Sequence, residues 1–150
     1  MAANRGKYAE GKFREMCKLY EKSASFAFHR FPDAHAGSLV TAPADFQTLF
    51  DSQLRMIEVK ETKEIARLPY NNFASDQVAR MRLWQLAGAE SWVIVYHTET
   101  KLYRCFRLES FYVREEGQAS WFFAGNKPNI VKAVAESLKL EDIFRTIHGM

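Results

Sequence analysis

The chain has 150 residues, enough for one compact domain, and its 47% hydrophobic and 26% charged content is that of a globular rather than a disordered protein. No stretch is apolar for long enough to span a bilayer, and the polar first seven residues lack the apolar run of a secretory leader, so the expectation is a cytosolic protein with no membrane contact. A net charge of +3 permits a polyanionic partner without demanding one.

Residues 8–22 are rich in helix formers and free of proline, which predicts a first helix. A strand is expected over 23–31, carrying Phe26, Phe28, His29 and Arg30, and a turn-rich segment over 32–38, with Gly37 and Ser38, follows. Two short strands, 44–50 and 54–60, are joined through Asp51, Ser52 and Gln53, short enough for a hairpin. Residues 62–73, with Pro69 and the Asn71–Asn72 pair, read as an irregular connection. Ser75 can cap a helix running to about Ala87, with Val78, Met81 and Trp84 near one face and Gly88 as its terminator. The apolar run over 91–96 suits a central strand buried on both faces, and 101–108 is expected to pair with it. A helix over 129–138 and a short one over 141–147 complete the expected order α-β-β-β-α-β-β-α, a mixed sheet flanked by helices.

Cys17 and Cys105 have neither a metal-finger spacing nor a disulfide framework and are expected to be buried, reduced thiols. His29, His35, His97 and His148 show no zinc-ligand spacing and are expected at the surface or at strand edges. Nucleophile elbows and glycine-rich phosphate loops are absent from the sequence. Tyr112, Trp121, Phe122 and Phe123 fit either the core or a contact between copies.

One arrangement carries chemistry. Pro43, Ala44, Asp45 and Phe46 are followed, thirteen residues beyond the aspartate, by Glu58, Val59 and Lys60. Strand alternation puts Glu58 and Lys60 on one face and turns Val59 into the core, while Asp45 reaches the same place across the hairpin. Two like charges held together are costly unless a cation neutralises them; an oxygen-seeking Mg²⁺ fits, with the Val59 carbonyl as a further ligand. Such a metal serves phosphodiester hydrolysis, with Lys60 positioning or deprotonating the attacking water or stabilising charge on the phosphate. A cross-strand ion pair on a solvated face explains the spacing equally well.

A longer set of residues separates these readings. Gly11 to Glu15, the Phe-rich strand at 26–30, Asp33, Pro43 to Phe46, Glu58 to Lys63, Leu68-Pro69, Asn72-Phe73 and Gln77 to Met81 occur in order ahead of an apolar strand. With these, residues 11–104 resemble the RecU-type Holliday-junction resolvases, especially their short phage forms, within the PD-(D/E)xK nuclease superfamily. That resemblance implies a restriction-endonuclease-like core, as a single nuclease domain over 1–150 in phage or bacterial cytosol. The implied activity is a structure-selective, metal-dependent endodeoxyribonuclease of DNA recombination and repair, in which a homodimer resolves four-way junctions by paired symmetric nicks. Mg²⁺ is the expected cofactor, with Mn²⁺ as a substitute. Asp45 and Glu58 resemble the family's metal ligands, Lys60 its catalytic lysine, and Gln77 its glutamine near the scissile phosphate. Glu15 resembles the acidic residue of the first helix that completes the metal site. Glu10 fits the same pattern, because Gly6 and Gly11 each precede an acid by four residues; Glu15 is preferred for its distance to Arg30 and Asp33. Lys12, Arg30, Thr62, Lys63 and Arg80 are the expected DNA contacts, within a wider basic set that adds Arg67 and Arg82. The chain departs from bacterial RecU in having only residues 33–42 where those enzymes carry a longer stalk. The alternatives are a nuclease of other specificity, repair or restriction-like, and a non-catalytic DNA-binding module; the presence of Asp45, Glu58 and Lys60 together weighs against the second.

Overall fold

The structure is a computed structural model that describes residues 7–23, 25–32, 42–127 and 130–150. Asp33, His35, Gly37, Ser38 and Gly6 therefore lie outside the described residues. In chain order the elements are α1 (Lys7–Ser23), β1 (Phe26–Arg30), β2 (Phe46–Phe50), β3 (Gln53–Thr62), β4 (Arg67–Pro69), α2 (Gln77–Leu86), β5 (Glu90–His97), β6 (Leu102–Arg107), β7 (Ser120–Phe122), β8 (Ala135–Ser137) and α3 (Leu140–His148).

A six-stranded sheet runs in the order β1-β2-β3-β5-β6-β8, with β3 and β5 parallel and the other neighbours antiparallel. The parallel pair needs a crossover, and α2 lies within it. The expected mixed sheet flanked by helices is thus the observed architecture. On one face, Ala9, Phe13 and Cys17 of α1 and Ile143, Phe144 and Ile147 of α3 pack on Phe46, Ile57, Val59, Ile94 and Tyr96. On the other, Met81 of α2 joins Phe73, Leu108, Phe111 and Trp121 over Met56, Val93, Val95 and Phe106. A strand buried on both faces reads as a continuous apolar run, which is why β5 stands out in the sequence.

The β2–β3 hairpin turns through Asp51 and Ser52, at φ of 51° and 63°, a two-residue turn whose left-handed backbone matches the twist of the strands. Asp and Ser tolerate this conformation better than branched residues do. The turn sets the register, Phe46 opposite Ile57, and with it the relation of Asp45 to Glu58.

Several expectations are corrected. Residues 130–138 form no helix; Ala135–Ser137 is an edge strand paired with β6. Arg67–Pro69 and Ser120–Phe122 pair as a separate two-stranded sheet, and Tyr70–Asn72 forms a short 3-10 turn, where an irregular connection was expected. The cap of α2 is Asp76 rather than Ser75, with no side-chain hydrogen bond to the first-turn amides; Gly88 does follow its end, at φ 119°. Trp84 is 40% exposed, whereas Met81 is fully buried. His97 and His148 are buried, not peripheral, while His29 is exposed. Trp121 belongs to the core. Cys17 and Cys105 are free and buried, and burial pushes both thiols up, Cys105 to about 11. Among the described residues no helix is long and apolar enough to cross a membrane.

Candidate active site

The register of the hairpin, continued one step past Phe46, brings Asp45 opposite Glu58. Asp45 Oδ2 accepts the Val59 amide proton at 2.8 Å, and the Asp45 carbonyl accepts the Phe31 amide at 2.9 Å, so strands on both sides fix this residue. Glu58 and Lys60 share a face of β3, as alternation requires, with Glu58 Oε2 at 2.9 Å from Lys60 Nζ. Lys60 Nζ also donates to Gln77 Oε1 at 3.1 Å and lies 4.7 Å from the centre of the Phe73 ring. Gln77 is the first residue of α2 and is buried, so the crossover helix begins at the lysine.

From the opposite face of the sheet, α1 contributes Glu10. It is 8% exposed, and its Oε2 accepts from Arg30 Nη2 at 3.3 Å. Glu10, Glu58, Val59, Lys60, Glu61, Asn71 and Asn72 line one small cleft of about 170 Å³. The Asp45 carboxyl is raised well above the ordinary aspartate range, first by burial and then by the negative charges of Glu58 and Glu10; the Val59 amide and Lys60 only partly oppose this.

Glu15 does not join this cluster. Its side chain is 69% exposed, pairs with Lys12 at 3.7 Å, and faces a different groove beside Tyr8 and Tyr103. Glu10 lies on the buried stripe of α1 with Ala9, Phe13 and Cys17, whereas five residues on, at about 100° each, Glu15 comes roughly 140° away from that stripe. Helical periodicity was therefore the signal that separates the two acids. Asn71, Asn72, Phe73 and Glu61 also border the cleft without having been singled out as site residues. They come from the 3-10 turn after β4 and from the end of β3, where spacing alone marks nothing.

The expected DNA contacts are scattered. Arg30 is at the cluster, on Glu10. Thr62 ends β3, its Oγ1 accepting the Glu64 amide at 3.4 Å. Lys63 lines a larger, open groove of about 620 Å³ with Arg67 and Glu99, which holds no part of the acidic cluster. Arg80 is ion-paired with Asp76 on α2, and Lys12 sits over the Tyr8 ring on the outer face of α1.

Three carboxylates drawn together around a buried strand are an oxygen-rich setting for a hard divalent cation. Glu58 Oε1 is buried with no hydrogen-bond partner, an acceptor left open toward the cluster. Among the described residues no three acidic, His or Cys side chains form a ready-made metal cage. Glu58 Oε2 is turned to Lys60 and Asp45 Oδ2 to the Val59 amide, so binding would need those side chains to turn. The donor set fits Mg²⁺ or Mn²⁺ in type and charge, and suits softer metals poorly because it holds no thiolate or imidazole.

No family model matches the chain, and no curated protein does either. Among solved structures, the chain is similar to Hjc, a Holliday junction resolvase of the archaeal hyperthermophile Archaeoglobus fulgidus. The two are 24% identical, the TM-score is 0.49, and the match covers 73% of this chain and 81% of that one. At that distance the chain's function rests on its own residues.

Proposed function

We propose that this chain is a metal-dependent endodeoxyribonuclease of the PD-(D/E)xK type, with a restriction-endonuclease-like core, whose active site is Glu10, Asp45, Glu58 and Lys60. The observation that carries the reading is one cleft lined by Glu10, Glu58 and Lys60, with the buried Asp45 carboxyl close enough to feel all three charges and a buried Glu58 oxygen that has no hydrogen-bond partner. An ordinary surface ion pair would leave Glu58 exposed, whereas it is 4% exposed.

Glu10, Asp45 and Glu58 would hold the cation, with the Val59 carbonyl as a candidate further ligand. When bound, Mg²⁺ polarises a phosphoryl oxygen and acidifies a coordinated water. Lys60, kept beside Glu58 by its ion pair and by Gln77, places an ammonium where negative charge develops on the phosphate. Gln77 then holds the lysine from the helix side, and Phe73 shields it from water. Arg30 balances part of the acidic charge through Glu10. Thr62, Lys63 and Arg80 would contact the DNA backbone, for which sequence-independent electrostatic attraction is the main source of affinity.

The preferred substrate is a four-way DNA junction, cut by paired symmetric nicks in a homodimer; the ordered resemblance over residues 11–104 supports this. Cleavage assays on a four-way junction, a linear duplex, a flap and a single strand, each with Mg²⁺ and with chelator, test it. Mg²⁺-dependent cutting of the junction above the other substrates is expected. Cutting of a linear duplex at equal rate would favour a nuclease of other specificity, and binding without any cutting would favour a non-catalytic module.

A further inference from the structure

Strand alternation sends Glu61 to the face opposite Glu58 and Lys60, toward α1. There its Oε2 accepts the backbone N–H of Ala9 at 2.7 Å, across 52 residues of sequence. Ala9 lies in the first turn of α1, whose amides have no intrahelical acceptor, and a carboxylate at that end also meets the favourable pole of the helix dipole. The bond is charge-assisted and half-enclosed, and Ala9 itself is 1% exposed. The next residue along the helix is Glu10.

We propose that Glu61 is a positioning residue: by gripping the α1 backbone one residue before Glu10, it sets how far that carboxylate reaches into the cluster with Asp45 and Glu58. Glu10 is held from different directions. Arg30 Nη2 holds the carboxylate itself at 3.3 Å, and Glu61 holds the backbone it hangs from. The grip is anchored in turn, because Asn72 Nδ2 donates to the Glu61 carbonyl at 3.3 Å and β3 pairs Glu61 with Tyr96 of β5. One strand therefore supplies Glu58 and Lys60 on one face and the brace for Glu10 on the other. Any slide of α1 along the sheet would separate the helix carboxylate from the strand carboxylates. Groups that orient ligands from one layer out commonly change metal affinity by about 10- to 100-fold when removed.

This inference rests on the metal-binding reading of the cluster, and the test separates the two. Mn²⁺ binding is measured calorimetrically on the full chain, without DNA, for the wild type, Glu61→Ala and Glu61→Gln, alongside thermal melting without metal. Glu61→Ala is expected to weaken Mn²⁺ binding roughly tenfold. Glu61→Gln keeps an acceptor for the Ala9 amide and is expected to stay within about threefold of the wild type. Equal Mn²⁺ affinity in the wild type and a folded Glu61→Ala variant, with only the melting temperature lowered, would show Glu61 to be a helix cap and nothing more. An equal loss in the Gln variant would also overturn the proposal, since charge rather than grip would then be the cause. Should Glu61→Ala not fold, Glu61→Asp keeps the charge on a side chain one methylene shorter; it is expected to lose affinity, and unchanged affinity there overturns the proposal. A wild type that binds no Mn²⁺ overturns the metal reading itself and this inference with it.

Discussion

Glu58 is the residue on which the site turns, because one of its carboxylate oxygens is committed to Lys60 and the other is buried without a partner. A buried charge half-satisfied in this way is costly in the folded state. The fold retains it, which is expected where a ligand completes it. Asp45→Asn and Glu58→Gln remove charge while preserving shape. Each is expected to lower cleavage several hundredfold, about the loss seen when a charge-stabilising group leaves an active site, with the melting temperature held or raised. Undiminished cleavage in both variants would sink the assignment. Lys60→Ala is expected to abolish turnover yet leave DNA affinity within about tenfold, since one lysine is one phosphate contact among several. A binding assay decides: loss of binding with normal turnover per bound complex would make Lys60 a docking group. At this scale the sequence was informative for Asp45, Glu58, Lys60 and Gln77, which are brought together by strand alternation, one hairpin turn and one helix start. Glycine spacing fits Glu10 and Glu15 alike and the distance to Arg30 and Asp33 favoured Glu15, whereas the buried stripe of α1 carries Glu10.

Helix α3 is tied to the sheet through a buried histidine. His148 Nδ1 donates to the Phe144 carbonyl at 2.8 Å, so in the neutral ring Nε2 is the acceptor for the Thr48 hydroxyl, 2.9 Å away on β2. His97 is set similarly: Nδ1 donates to the Glu64 carbonyl at 2.8 Å and Nε2 accepts from Arg104. Burial pushes both imidazoles down to about 4. An unfolded chain titrates near 6.5, so above that pH neither state carries the extra proton and the full stability is present. As pH falls from ~6.5 toward ~4 the unfolded chain takes up protons that the folded one refuses, and stability drops; below ~4 the loss levels off. Urea midpoints at pH 7 and pH 5 check this, with a smaller drop expected for His148→Gln than for the wild type. Equal drops would contradict it. Elements were legible where the pattern was long. The run of helix formers in α1, the unbroken apolar run of β5 and the hairpin all carry several turns or residue pairs of signal. By contrast, β4 and β7 have three residues each, too few for any period to show. Residues 131–138 are rich in Ala, Glu, Lys and Leu and read as helix, yet they alternate between partly buried and exposed as a strand does. Pairing with the open edge of β6, including Val134 N to the Cys105 carbonyl at 2.8 Å, outweighs their helix propensity.

For the whole molecule, the described residues hold one acidic cleft around Glu58, while symmetric resolution of a four-way junction needs two. A two-fold homodimer supplies them in the relation the junction arms have to one another. Sedimentation at micromolar concentration is expected to give a dimer, alone or on junction DNA; a chain that stays monomeric on the junction would point to a single-nick enzyme. The identity of the acidic residue on α1 decides the site more deeply than assembly does. It is tested most directly by Mg²⁺-dependent junction cleavage with Glu10→Gln and Glu15→Gln side by side. Glu10→Gln is expected to lose activity about a hundredfold or more, while Glu15→Gln, changed on the exposed side of α1, is expected to cut at close to the wild-type rate. Full activity in Glu10→Gln with loss in Glu15→Gln, or wild-type cleavage that survives chelator, would contradict it.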